Sequence, residues 1–186
     1  MRLNKILKNA LLIISAGIIL TACATKKEVA VEEAPKKEET KKEETKKEEV
    51  TKIEKIAGQM QGDVYVGTDS VKYLADGVAD RVFFATNESI LTTASRETLR
   101  AQAAWLRANS NITVVLEGHA DERGTREYNL ALGERRANAA KDYLMTYGVS
   151  SDRITVISYG KERPVDSGSN PLAWSKNRRS VTVKAN

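Results

Sequence analysis

Asp121 and Arg136 stand fifteen residues apart, across a loop and a helix start, within the stretch EGHADERGTREYNLALGERRANAA that runs from Glu117 to Ala140. An ammonium group needs an anionic acceptor and a carboxylate needs a forked donor. One Asp and one Arg facing a shared cleft therefore suit the zwitterionic head of a free amino acid. The same residue types also form surface ion pairs that contribute nothing measurable, and spacing alone leaves both readings open.

The surrounding pattern supplies elements that could bring the two together. Val82-Phe83-Phe84, Ile112 to Gly118, Ile154 to Tyr159 and Ser180 to Lys184 are short and rich in Val, Ile, Thr and Phe, and read as strands. Leu99, Ala103 and Leu106 mark one face of a helix over about Thr93 to Asn109, and a second helix runs from near Thr125 to Tyr147, stopped by Gly148. A loop with Pro164 and Pro171 precedes the last strand, and Val64-Tyr65-Val66 reads as an added edge strand. Helices alternating with strands predict an α/β fold, a two-layer sandwich of a mixed sheet with helices packed on one face. Asp121 then falls just past the end of the Ile112 to Gly118 strand. On the following helix Asn129, Leu132, Arg136, Ala140 and Tyr143 recur at spacings of three and four and share a stripe. Asn129 and Arg136 would line a cleft with Asp121 over an apolar floor from Leu132.

Ahead of this domain, about residues 62–186, lie two other segments. Residues 1–22 carry Arg2, Lys5 and Lys8, then an apolar run from Ala10 to Leu20, about half the roughly 20 residues a membrane-spanning helix needs. The run ends in Leu20-Thr21-Ala22-Cys23, small residues directly before the chain's single cysteine, which resembles a bacterial lipoprotein signal cut ahead of a lipidated Cys23. One acyl chain anchors only marginally, at about 0.8 kcal/mol per buried methylene, so a stable anchor implies several. Ala24, rather than Asp, after the cysteine leans toward the outer membrane. Residues 23–61 read as the lipidated Cys and a charged tether. Lys36 to Thr40 and Lys41 to Thr45 repeat KKEET, and Ala24 to Gln61 holds ten Lys against ten Glu, a composition that cannot bury a core. Fully extended it would reach ~140 Å, and as a helix ~60 Å. The formal charge of +5 falls to +2 once the leader's three basic residues are removed, which argues against nucleic acid as a partner.

Gly118-His119-Ala120-Asp121-Glu122-Arg123-Gly124-Thr125, the helix pattern Asn129, Leu132-Gly133 and Arg135-Arg136-Ala137, the Ser158-Tyr159-Gly160-Lys161 turn and Asn177-Arg178-Arg179 are together similar to the OmpA-like, peptidoglycan-binding domain family, over about Val82 to Val183. The resemblance implies a noncovalent hold on the free end of meso-diaminopimelate in the peptidoglycan stem peptide. It implies that Asp121 accepts the ammonium and Arg136 clamps the carboxylate, with Asn129 and Arg178 as supporting polar contacts. It also implies contacts from the Ala85, Thr86 and Asn87 loop. Many relatives carry an aromatic residue and Asp where this chain has Thr86 and Asn87, which softens that contact. Membership of the Tol envelope system, with the periplasmic propeller protein TolB and other Tol proteins as partners, is implied as well. So are an outer-membrane lipid anchor and a periplasm-facing domain.

Enzymatic readings find less support. Ser158-Tyr159-Gly160-Lys161 fits an SxxK pattern, but the Ser sits at a strand end and the companion SDN and KTG elements are absent. His119 is the sole histidine, so a zinc hydrolase would draw its other ligands from carboxylates alone. No GxSxG elbow supplies a nucleophile for a triad with His119 and Asp121, and neither GxGxxG nor GxxxxGK offers a cofactor loop. A wall-binding protein without catalysis or cofactor is the expectation, and His119 reads as a loop-anchoring hydrogen bonder.

Overall fold

The structure, a computed structural model, describes Thr51 and residues 58–185. The leader, Cys23 and nearly all of the tether lie outside the described residues. The chain begins with two small hairpins, β1 (Met60–Gln61) with β2 (Val64–Tyr65) and β3 (Tyr73–Ala75) with β4 (Val78–Ala79). Then follow β5 (Arg81–Phe83), α1 (Thr93–Ala108), β6 (Val114–His119), α2 (Arg126–Thr146), a 3-10 turn at Ser151–Arg153, β7 (Ile154–Gly160), α3 (Pro171–Asn177) and β8 (Arg179–Lys184).

β5, β8, β6 and β7 lie side by side in that order. The last strand inserts between the first two, antiparallel to both, while β6 and β7 run parallel with α2 as their crossover. This is the two-layer α/β sandwich with a mixed sheet that the element pattern predicts. Val64–Tyr65 differs from expectation: it pairs with Met60–Gln61 in a separate two-stranded ribbon and does not join the main sheet. α3 is also additional, since the two prolines suggest only a loop. Its signal is Asn170, whose side chain accepts from the Ala173 N–H, followed by Pro171 at the first helical position, where a missing N–H costs nothing.

Strand alternation divides the sheet's two faces. Val82, Phe84, Val114, Leu116 and Ile154 pack with Leu99, Ala103 and Leu106 of α1 and Ala137, Ala140 and Leu144 of α2 in one buried cluster. Thr182 of β8 points the same way, donating its hydroxyl to Gln102 of α1 at 2.7 Å. Thr92 and Thr125 cap the two helices by accepting from Ser95 and Tyr128.

The depth at which α2 sits is set by two glycines. A Cβ on Gly118 would lie 1.8 Å from the Gly133 carbonyl oxygen, and one on Gly133 would lie 2.4 Å from the Ser158 hydroxyl. Backbone therefore meets backbone where α2 crosses β6, and Arg136, about one turn beyond Gly133, is carried down to the end of the sheet. The predicted stripe faces inward: Asn129, Leu132, Arg136 and Ala140 are all buried, and Tyr143 packs at the cluster's margin.

Candidate functional site

Asp121 and Arg136 converge on the end of the sheet beyond β6, and both are buried. They are close enough for Asp121 to act on the Arg136 charge, yet they form no ion pair with each other. The Asp121 carboxylate is gripped by two other arginines. Arg123 donates its backbone N–H (3.1 Å), Nε (3.0 Å) and Nη2 (2.7 Å), and Arg178 donates Nη1 at 3.2 Å. Burial pushes the Asp121 carboxyl up, but the Arg123 hydrogen bonds and charge, with Arg178, outweigh it and hold the group below the usual carboxylate range.

Arg136 is fully enclosed, and its guanidinium draws the site's loops together. Nε donates to the Glu88 carbonyl at 2.8 Å, Nη1 to that of His119 at 2.8 Å and Nη2 to that of Ala85 at 3.0 Å. A guanidinium carries five N–H groups, so two remain beyond these three bonds. Burial and then the Arg178 charge lower its pKa to about 10, with Asp121 opposing them, and it stays cationic at neutral pH.

The supporting residues proposed from sequence are brought to the same place. Asn129 donates Nδ2 to the Arg123 carbonyl at 2.8 Å, which pins the arginine that holds Asp121. Arg178, also buried, bonds the Phe84 carbonyl through Nε and the Asp63 carbonyl through Nη2. Leu132 is buried in the inward stripe of α2. In the Ala85 to Asn87 loop, Asn87 has φ of 58°, a left-handed conformation that Asn adopts more readily than most residues. Whatever a carboxylate side chain would contribute there, Asn satisfies the backbone.

Two residues of the site carry no sequence signal that sets them apart. Arg123 lies inside the motif, but an Arg two positions after an Asp is indistinguishable from an ordinary loop ion pair until the fold sets it between Asp121 and Trp174. Asp63 had no signal at all. It comes from the β1–β2 turn, where its carboxylate accepts the Thr86 backbone N–H at 2.6 Å and lies 3.9 Å from the Arg178 guanidinium. Burial pushes the Asp63 carboxyl up, but the Thr86 bonds and the Arg178 charge together outweigh it and lower it. A carboxylate thus already occupies the donors at the mouth of the cleft. Trp174 of α3 borders them, with the Arg123 guanidinium 4.3 Å from its ring centroid and its Nε1–H donating to Glu122.

His119 does not hydrogen-bond as its sequence position suggests. It ends β6 pointing to the sheet's other face, buried, with neither ring nitrogen hydrogen-bonded among the described residues. Only its backbone carbonyl serves the site, through Arg136.

The OmpA family model matches residues 83–178, just over half of the chain, and takes in nearly all of these groups. The chain belongs to the OmpA family. Within it, the chain is 54% identical over 106 residues to the peptidoglycan-associated lipoprotein of Mesorhizobium japonicum, covering 57% of this chain and 63% of that one. The chain thus spans under two thirds of that relative's length. It is 40% identical over 131 residues to the peptidoglycan-associated lipoprotein of Pasteurella multocida, across 70% of this chain and 83% of that one. Among solved structures, the peptidoglycan-associated lipoprotein of Burkholderia pseudomallei superposes with a TM-score of 0.56 at 34% identity, over 57% of this chain and 90% of that one. The C-terminal domain of Helicobacter pylori MotB, at 17% identity and a TM-score of 0.54 over 57% of this chain and 84% of that one, shares the fold.

Proposed function

We propose that this chain is an outer-membrane lipoprotein that binds peptidoglycan noncovalently through the free end of meso-diaminopimelate, linking membrane to wall without catalysing a reaction. The observation that carries the reading is the buried Asp121 carboxylate beside three arginines at one sheet end, a charge arrangement with a place for each pole of a zwitterion. The names of the relatives at 40–54% identity support the same reading.

The hydrogen bonds around the cleft suggest binding by exchange. A ligand ammonium takes over Asp121 from Arg123, whose side chain is 42% exposed and keeps its contact with the Trp174 ring when the Asp121 bonds open. A ligand carboxylate takes the Thr86 N–H and the Arg178 face from Asp63, and displacement of those contacts opens the way to the two remaining N–H groups of the enclosed Arg136. Each exchanged bond replaces one of similar kind, so net affinity is modest and specificity comes from meeting both poles at once. On this reading Cys23 carries the lipid, residues 23–61 span from membrane to wall, and the domain faces the periplasm. The protein works within the Tol-Pal system, with TolB as partner, in envelope integrity and cell division.

The test is co-sedimentation of the full chain with purified sacculi, competed by free meso-diaminopimelate. Displacement by meso-diaminopimelate, and loss of sedimentation in Asp121→Ala, are expected. Undiminished sedimentation of Asp121→Ala would overturn the assignment. For the partner, capture of TolB from a periplasmic extract is expected, and its absence would place the protein outside the Tol system.

A further inference from the structure

The sheet face opposite the helices carries a second concentration of charge that takes no part in the cleft. A groove of about 600 Å³ runs across β8 and the end of β6, walled by the β3 region on one side and the segment after β7 on the other. Lys72, Arg81, Arg163, Arg179 and Lys184 line it, and its acids are Asp80 and Glu117. Asp80 is committed to Arg81 by two hydrogen bonds of 2.8 Å. Among the described residues Arg179, 6% exposed, reaches only the carbonyls of Asn177 and Arg163 and leaves Nε–H without a partner. Arg163 lies over the Tyr159 ring at 3.8 Å, and among the described residues neither it nor Lys72 has a carboxylate within ion-pair distance.

At the base sits His119, 2% exposed, its ring against Tyr159 and, among the described residues, both nitrogens without a hydrogen-bond partner. Glu117 approaches Nε2 only to 3.7 Å, beyond hydrogen-bond reach. Buried polar groups are almost always satisfied, so several orphan atoms in one wall, under a net excess of positive charge, indicate a missing partner that accepts hydrogen bonds and carries negative charge. Burial first, then the charges of Arg179, Arg81 and Arg163, lower the His119 pKa to about 3, which registers the same unbalanced field.

We propose that this groove binds an oxyanion, a carboxylate or a phosphate group, held by Arg163 and Arg179 above His119. A forked guanidinium matches either group, and a neutral imidazole can donate one N–H, so the bound group would give a partner to Arg179 Nε–H and to the protonated nitrogen of His119. The proposal is independent of the wall-binding reading, because the groove lies on the sheet face turned away from α2 and shares no side chain with the Asp121 cleft.

His119 is the chain's one histidine, which makes its ring a single reporter. With the full chain labelled in histidine, NMR follows the ring signals during titration with inorganic phosphate and, separately, with N-acetylglycine, each against sodium chloride at matched ionic strength. A saturable shift with one or both anions and none with chloride is expected. A difference of at least fivefold in half-saturating concentration says whether phosphate or carboxylate is the natural group. Arg179→Gln endangers folding, so Arg163→Glu and Lys72→Glu, both at exposed rim positions, serve as the variants. Each should raise the half-saturating concentration at least fivefold. A shift that follows ionic strength alone, or a midpoint that both variants leave in place, would overturn the proposal.

Discussion

The two faces of β6 hold polar clusters of similar burial and opposite completeness. In the cleft at its end, Arg123 and Arg178 hold Asp121, while Arg136 and Arg178 hold the carbonyls of residues 84, 85, 88 and 119, so the charges are costly to remove but available for exchange. On the groove side Arg179 and His119 keep unsatisfied nitrogens. A satisfied network rigidifies the fold around it, whereas an unsatisfied one lowers stability until something fills it. The cleft should therefore respond to mutation mainly as scaffold and binding site, and the groove mainly to pH and anions.

The largest break comes from Arg136→Ala. Three backbone carbonyls lose their donor together, at about 1–3 kcal/mol for each that stays buried, so the variant should lose at least about 3 kcal/mol of stability in urea unfolding. Gly118→Ala tests the geometry beneath it. With the Gly133 oxygen 1.8 Å from the new Cβ and backbone on both sides, the helix must lift, and a loss on a similar scale is expected by the same measurement. If Arg136→Ala unfolded at the parent midpoint, the guanidinium would not be what ties the loops together.

Asp121→Ala should separate binding from folding. Sacculus affinity is expected to fall by about 2–5 kcal/mol, as when one side of a buried charge pair is removed. A parental far-ultraviolet spectrum would show that the loss lies in the cleft.

Protonation sharpens the contrast. The His119 pKa is depressed from 6.5 to about 3 in the folded state. The unfolded chain then binds more protons between those values, so this stability is present above about pH 6.5 and is lost as pH falls toward 3. The slope reaches at most about 1.4 kcal/mol per pH unit. Asp121 and Asp63, depressed from 3.8, add their loss only at the acid end of that window. Urea midpoints measured between pH 6.5 and 5 should therefore decline in the parent and stay nearly flat in His119→Gln.

What the sequence disclosed follows from the range over which each signal acts. The strands, α1 and α2 announce themselves through apolar period and caps, and the inward stripe on α2 placed Asn129, Leu132 and Arg136 correctly because helical spacing fixes which residues share a face. The motif placed Asp121 and Arg178 in the same region. Hidden from such signals were the pairings made across long separations. Asp121 chose Arg123 and Arg178 over Arg136, and no local pattern ranks three arginines as partners. His119 has its side chain on the groove side because β6 ends one residue later than the Val and Ile run implies, and strand alternation then turns it away from the loop. Asp63 reached the cleft through a hairpin whose strands are two residues long, below what periodicity can detect.

That last residue offers the smallest and most discriminating change. Asp63 is half-exposed, so its hold on the Thr86 N–H contributes about 0.5–1 kcal/mol, the low end for a hydrogen bond. If a wall carboxylate lands on the same donor, Asp63 is a competitor carried by the chain itself. Asp63→Ala should then bind sacculi about two- to fivefold more tightly, with free meso-diaminopimelate gaining by the same factor. Weaker binding in that variant would mean the opposite, that Asp63 stays in place and supplies part of the acceptor for the ammonium. Either direction of change locates the ligand's carboxylate relative to Thr86, whereas a variant with unaltered affinity would show that the β1–β2 turn stands clear of the bound head group and that exchange at this donor plays no part.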